Sequence, residues 1–311
     1  MGFDYNFDRD TKHVTMPETG KRRRWVFAAV FTVILVGLVI CFRPSSESAA
    51  PATGEGQASE PEGGVSQPGI VPDVPVPTEA DGFSAEQTAR YREAEGLIGS
   101  GGAVKAAGML AAMLKEFTPY SAGWEKTARL LTRANIKIMM DKLPCPRNIE
   151  YTVKAGDTLN SITRKNNNMC NSLLLAVNGI DNKNQLHPGQ HLTIYNVKAW
   201  SLEISRSHQT LSVFADGELF AVYPVGVSSD VVSGEAYYKS REELSVGEDH
   251  RDYNGTRKMG LSNNVAIHGT WVSGDVRSPF RDGGIRMKNS DIEELYLYLP
   301  MLRTTKVKII D

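Results

Sequence analysis

The sequence predicts an α+β chain assembled in series: an N-terminal transmembrane helix, a small helical segment, a βααβ module and a mostly-β C-terminal domain. Three observations predict it. Residues 25–42 are an 18-residue apolar run without a charge, residues 84–143 repeat apolar side chains at helical spacing, and from Trp200 the apolar period becomes two. A chain of 311 residues with 41% hydrophobic content has enough apolar surface for a substantial core. Its formal net charge of −1 argues against nucleic acid as a partner. Three cysteines, Cys41, Cys145 and Cys170, show no CxxC or Cys/His ligand spacing, so no metal site is indicated. A Cys145–Cys170 bridge is left open, because two cysteines carry no pattern.

As a helix, the run WVFAAVFTVILVGLVICF spans about 27 Å, close to the hydrocarbon thickness of a bilayer. Lys21-Arg22-Arg23-Arg24 precede it, and Arg43 is the only basic residue from there to residue 84. This bias places residues 1–24 as a cytoplasmic tail and everything after residue 42 outside the cytoplasm, periplasmic or otherwise. The competing reading is a cleaved signal peptide, with small residues at Ser48-Ala49-Ala50. Ile40 is bulkier than the residue that precedes a lipidated cysteine, so Cys41 reads as a membrane-embedded thiol.

Residues 43–83 turn to Pro, Gly, Ser and acid and contain too little apolar surface for a core, which predicts a disordered linker. Its coil dimension is roughly 35 Å, enough to hold a domain away from a membrane. Ser84-x-x-Gln87 is a capping box, followed by Tyr91, Ala94 and Ile98 on one face of a first helix. A second helix is expected to bury Val104, Ala107, Leu110, Leu114 and Phe117, with Pro119 closing it. A third is expected over 122–140, with Trp124, Ala128, Leu131, Asn135 and Ile138 on one face. Three such helices over 84–143 resemble one tetratricopeptide hairpin with a cap. They read either as a spacer or packing element or as a partner-binding one.

Residues 149–196 have their own logic. Tyr151 and Val153 alternate as a strand, Gly156-Asp157-Thr158 turns and caps a helix carrying Leu159 and Ile162, and Leu173, Leu174 and Val177 mark a second helix. Asn178-Gly179 and His187-Pro188-Gly189-Gln190 are turns, and Leu192 and Ile194 form the closing strand. These residues resemble the LysM module in YTVKAGDTL, in the Leu-x-x-x-Asn of the second helix and in LHPGQHLTI. The resemblance implies binding of N-acetylglucosamine-containing glycan, in bacteria usually peptidoglycan, in a shallow groove between two turns. Gly156, Asp157, Thr158 and Leu159 line one turn, and Asn178, Gly179 and Ile180 the other. Backbone amides there would bond N-acetyl groups, and Leu159 or Ile180 would cover a sugar face. Asp157 and Thr158 read equally as helix caps, and Asn178 as a turn former. Asn166–Asn171 is more polar than the module's usual inter-helix loop.

In the C-terminal domain, residues 198–311, Leu202 and Ile204 alternate, as do Leu211 and Val213, and Asp216-Gly217 signals a hairpin. Ser290-x-x-Glu293 is expected to cap a helix ending at Pro300, and Lys306–Ile310 reads as a last strand. The domain resembles the L,D-transpeptidase catalytic domain in WSLEISRSHQTLSVFADGELFAVYPVGV, in Ala266-Ile267-His268-Gly269-Thr270 and in GIRMKNSDIEELY. That family cross-links peptidoglycan stem peptides through a cysteine acyl-enzyme. Its Ser/Thr-His-Gly-Cys signature falls here on Arg281, Asp282, Gly283 and Gly284. Glycine has no side chain to attack an amide, no cysteine lies between Asn171 and Asp311, and no histidine follows His268. His268 and Arg286 are left as vestigial candidates: Arg286 to meet a carboxylate, the Gly283–Gly284 amides to bond a carbonyl. They read equally as packed or solvated residues.

Together these resemblances imply a membrane-anchored peptidoglycan-binding adaptor of the cell wall that uses no cofactor. Its transpeptidase-like domain would have lost catalysis, and its partners would be the inner membrane, peptidoglycan and an active cell-wall enzyme. The alternatives are an active L,D-transpeptidase with another nucleophile and a simple membrane-to-wall anchor.

Overall fold

A computed structural model describes residues 81–181, 186–244, 255–271, 274–278, 280, 283–300 and 304–311. The expected tail and membrane helix and all but the end of the expected linker lie outside these residues, as do Arg281 and Asp282. No helix among the described residues is long and apolar enough to cross a membrane.

Helices α1 (Ala85–Gly99), α2 (Ala103–Leu114) and α3 (Ala122–Met140) open the described chain. The Ser84–Gln87 capping box forms in both directions, and Tyr91, Ala94 and Ile98 are buried as the spacing requires. The buried stripe of α2 differs from expectation: it is Ala103, Ala106, Leu110 and Met113, while Val104 is 42% exposed. The helix is apolar nearly all round, so its sequence allows several stripes, and the small alanines win the close contact with neighbouring helices. Helix α3 buries Ala128, Leu131 and Ile138 as expected. The linker also ends earlier than expected. Phe83 is buried, edge-on to Tyr91 at 5.7 Å and tilted on Phe117 at 5.0 Å, and Asp81 pairs with Lys126 at 2.5 Å.

Helix α3 also reaches the C-terminal domain. Strand β5 (Glu218–Pro224) runs past it. There Asn135 Nδ2 donates to the Phe220 carbonyl at 2.8 Å, and Thr132 Oγ1 accepts the Val222 amide at 2.9 Å. Through these contacts the helical segment packs on the sheet, in keeping with the packing reading of its sequence.

Strands β1 (Asn148–Thr152) and β2 (His191–Tyr195) pair antiparallel around helices α4 (Leu159–Lys165) and α5 (Asn171–Val177), the βααβ order expected. Ile162, Leu173, Leu174, Val177, Leu192 and Ile194 fill the space between them. Asn167 and Asn168 in the inter-helix loop both take positive φ, near 56° and 54°, which asparagine tolerates better than most residues.

Beyond lie β3 (Trp200–Ser205), β4 (Thr210–Ala215), β6 (Gly226–Val227), β7 (Gly234–Glu243), β8 (Arg257–Leu261), β9 (Ala266–His268), β10 (Ile285–Arg286), helix α6 (Asn289–Tyr298) and β11 (Lys306–Ile310). They form one sheet in the order β5-β4-β3-β11-β7-β8-β9-β10-β6. The β4–β5 hairpin turns on Asp216 and Gly217, both at positive φ, as its sequence demands. Strand β11 is central, parallel to β3 and antiparallel to β7. The two edge strands, β5 and β6, are separated only by Val225. One residue spans at most about 7 Å, whereas the ends of a flat nine-stranded sheet lie roughly 38 Å apart. The sheet must therefore roll until its edges meet, which makes it barrel-like.

Helix α6 starts without the expected Ser290 cap: its N-cap is Lys288, and the Ser290 hydroxyl bonds Asp291 instead. Ser290 already has helical geometry, so its side chain cannot reach back to the first amides. Trp200, Phe220 and Tyr298 pack with centroids 5.1–5.2 Å apart, and Tyr195 at the end of β2 lies 6.0 Å from Phe220. A single apolar core thus runs from the βααβ module into the sheet. Cys145 and Cys170 are both free thiols.

Candidate functional sites

In the βααβ module the first turn is built by local hydrogen bonds. Gly156 takes φ +84° with open space where a Cβ would stand. Thr158 is the N-cap of α4: its hydroxyl accepts the Ser161 amide at 3.1 Å, and its amide donates to Ser161 Oγ at 2.9 Å. The Asp157 carboxylate accepts from the Tyr151 hydroxyl at 2.7 Å, the Lys154 amide at 2.9 Å, Lys165 Nζ at 2.9 Å and Ser161 Oγ at 3.3 Å. These donors, the Lys154 amide first, hold its pKa below the usual carboxylate range. Thr158 therefore acts as the helix cap that its sequence also allowed, while Asp157 ties the turn together without bonding a backbone amide of α4.

Asn178 closes the second turn. Its side-chain Nδ2 donates to the Leu174 carbonyl at 2.9 Å and the Thr193 carbonyl at 2.8 Å, and its Oδ1 accepts the Thr193 amide at 2.8 Å. The Leu-x-x-x-Asn pattern is thus a clamp from the end of α5 onto β2. Gly179 takes φ +61°, its amide donates to Ala176 and that of Ile180 to Leu175. Ile180 is 7% exposed and belongs to the core, so it does not cover a sugar face from the surface as expected; Leu159, half-buried, retains that capacity. The physical reason is its place just after Gly179, where its amide bonds back to the Leu175 carbonyl of α5 and holds the residue against the core.

Both turns hang from neighbouring rungs of the β1–β2 ladder. Tyr151 holds Asp157, while Thr193, which pairs with the adjacent Glu150, holds Asn178. Cross-strand neighbours lie about 5–7 Å apart, so the ladder brings the two turns together. Their Asp157, Thr158, Gly179 and Ile180 amides are already bonded within the chain. The Leu159 and Asn160 amides, in the first turn of α4, have no such bond among the described residues. Tyr151, Ser161, Lys165 and Thr193 support the site without having been singled out in the sequence. Only the spacing of Tyr151 before Asp157 hinted at any of them.

In the C-terminal domain β9 and β10 run parallel, with Ile285 opposite Ile267 and Arg286 opposite His268. His268 and Arg286 are brought together, both buried. His268 Nδ1 lies 2.8 Å from the Gly269 carbonyl, which only accepts, so the proton sits on Nδ1. Nε2 is buried and has no partner that meets hydrogen-bond geometry among the described residues, although the Gly283 backbone lies near enough to favour protonation. Burial outweighs this and lowers the imidazole pKa, so the ring is neutral at pH 7. Arg286 does not present a free guanidinium to a carboxylate as expected. Its Nη2 donates to the Val276 and Ser278 carbonyls at 2.9 and 2.7 Å, its Nε to Val276 at 3.3 Å, and its plane lies 4.2 Å from the Phe280 ring.

Gly284 is enclosed. It takes φ +88°, and a Cβ there would stand 2.6 Å from the Ala266 carbonyl oxygen. Real Cβ atoms do not approach that closely, so the backbone itself excludes a side chain at this position. Gly283, at φ +75°, is roomier.

The match of known families to this chain is a LysM domain at residues 151–194. The chain therefore carries a LysM domain, and the match runs from the end of β1 through both turns into β2. No curated protein matches in sequence. Among solved structures the chain is similar to the L,D-transpeptidase of Xylanimonas cellulosilytica, with 16% identity, 39% of this chain and 65% of that one covered and a TM-score of 0.30. It is also similar to L,D-transpeptidase 3 of Mycobacterium tuberculosis in complex with a faropenem-derived adduct, at 14% identity, 40% and 65% coverage and a TM-score of 0.31. For the Enterococcus faecium L,D-transpeptidase the values are 17%, 38%, 53% and 0.31. The chain spans just under two thirds of the length of the first two of these and about half of the third.

Proposed function

We propose that this protein binds peptidoglycan through its LysM domain and is held to the cytoplasmic membrane by residues 25–42, with residues 43–311 outside the cytoplasm. The observation that carries the glycan reading is the match of residues 151–194 to the LysM domain, with its two turns placed side by side on one ladder. The basic cluster Lys21–Arg24 before the apolar run supports the orientation. The C-terminal domain is catalytically silent and serves as a wall adaptor beside an active cell-wall enzyme. Gly284 supports this, since it lacks an attacking atom and its backbone admits none.

The test is co-sedimentation of the chain from residue 81 to 311 with purified peptidoglycan. We expect pelleting that soluble chitin oligomers compete away and that Leu159→Asp weakens several-fold without loss of fold. A protein that stays in the supernatant overturns the reading. A reporter active only outside the cytoplasm, fused after Asp311 of the full chain, should be on; an inactive reporter with a normally expressed chain would refute the orientation.

A further inference from the structure

Helix α4 turns a second face toward strand β7 and Pro300, and between them lies an open cleft of about 250 Å³. That is room for one sugar ring or one amino-acid residue. None of Gly156–Leu159 or Asn178–Ile180 lines it. Among the described residues its walls include Asn160, Arg164, Asn168, Asn171 and Arg241, and no carboxylate.

The polar atoms are arranged in one sense. Thr163 Oγ1 donates to Asn171 Oδ1 at 2.9 Å, and Asn171 Nδ2 donates to Asn160 Oδ1 at 2.6 Å. This relay turns each amide oxygen toward its neighbour and occupies one of its two lone pairs, and it leaves the Asn160 Nδ2 donors without a partner among the described residues. Arg164 has neither a hydrogen bond nor an ion pair among the described residues. Arg241 lies 3.6 Å over the Tyr296 ring, and its Nη2 donates to the Tyr296 carbonyl at 2.8 Å. Its Nη1 has only Cys170 Sγ, at 3.6 Å, and no carboxylate offsets its charge among the described residues. Two guanidiniums and an oriented amide thus border a space with donors in excess and no anion. Stacking on Tyr296 fixes the plane of Arg241, which is what paired hydrogen bonds to a planar acceptor require.

We propose that this cleft binds a carboxylate carried by a single small polar residue, either an acidic amino sugar or an acidic amino acid. Arg164 supplies mobile charge, Arg241 fixed charge and Asn160 a directed donor. The site goes beyond the glycan reading, because its residues are separate from the two turns.

The test is ligand-observed NMR on the full chain in detergent micelles with three probes: N-acetylmuramic acid, N-acetylglutamate and neutral N-acetylglutamine. We expect at least one acidic probe to bind about tenfold more tightly than the neutral one, and to weaken as salt rises. Which acid binds better tells a sugar source from a peptide source, and either supports the site. Asn160→Asp keeps the oxygen that accepts from Asn171 but adds a like charge, and should abolish acid binding. Arg164→Gln, on an exposed side chain, should weaken it several-fold, and near-ultraviolet circular dichroism checks that both variants fold. Equal binding of acidic and neutral probes, no binding of any acid, or folded variants that bind acid as before would each overturn the proposal. Loss of chitin-oligomer binding with acid binding intact would refute the glycan reading and leave this one standing.

Discussion

Gly284 shows how one residue decides a chemistry twice. It carries no side chain to attack with, and at φ +88° with Ala266 O at 2.6 Å from a would-be Cβ it leaves no room for one. Introducing a histidine and a thiol by Asp282→His with Gly284→Cys should therefore not create a reactive cysteine site. A side chain there must push β9 away or leave a left-handed backbone that only glycine holds cheaply, at a cost of about 1–3 kcal/mol. We expect no covalent β-lactam adduct by intact mass, either on the native chain or on the double variant, and a lower melting temperature for Gly284→Ala. An adduct on a serine within 198–311 of the native chain would establish an enzyme with another nucleophile. His268 carries a second prediction. Because burial depresses its pKa, the unfolded state binds more protons than the folded state as pH drops below the ordinary histidine value of about 6.5. The stability that a neutral His268 provides is present above that pH and lost below it. A titration of the ring resonances should give a pKa below 6.5, and a value above it would contradict the burial.

At the scale of elements, the junction between α3 and β5 depends on two polar side chains in an otherwise apolar contact. Thr132 also donates back to the Ala128 carbonyl at 2.9 Å while its oxygen accepts from Val222. The hydroxyl is thus both donor and acceptor, and the Val222 amide has no water to turn to. Thr132→Val keeps the shape but leaves that amide unpaired. It should cost about 1–3 kcal/mol, whereas Thr132→Ser should cost less than half as much. Thermal unfolding of the two variants checks this, and equal losses would mean that the methyl group, and not the hydroxyl, matters. Asn178 plays the same part within the LysM domain, where two hydrogen bonds tie the end of α5 to Thr193 of β2 and a third holds the last turn of α5.

Across the whole molecule, the LysM domain and the rolled sheet share one core, joined at Tyr195, Trp200, Phe220 and Tyr298. Such continuity couples their stabilities. The chain from 81 to 311 should unfold in a single transition, and excised residues 145–197 should melt at a lower temperature than the same residues in place. Scanning calorimetry of both decides it. Two resolved transitions in the longer chain, or an excised domain just as stable, would show that the shared core carries little energy. Glycan binding by the excised domain is then a poorer test than binding by the longer chain.

The sequence by itself determined what local chemistry can specify. The Ser84–Gln87 box, the Asp216-Gly217 hairpin, the βααβ order and the last strand are each written in a few neighbouring residues, and each forms as read. The missing thiol at Gly284 was equally legible, because absence of an atom needs no fold. Tertiary structure alone decided the rest, since burial depends on residues far away in the chain. The stripe of α2 is chosen by its neighbours, because its own faces are nearly equal in hydrophobicity. Ile180 turns inward to join the core, and Arg286 is occupied because the Val276 and Ser278 carbonyls of the segment before β10 meet it. Local sequence fixes backbone torsions and caps through interactions a few residues long. Which side chains remain free to act on a ligand is set by packing between segments that local pattern does not pair.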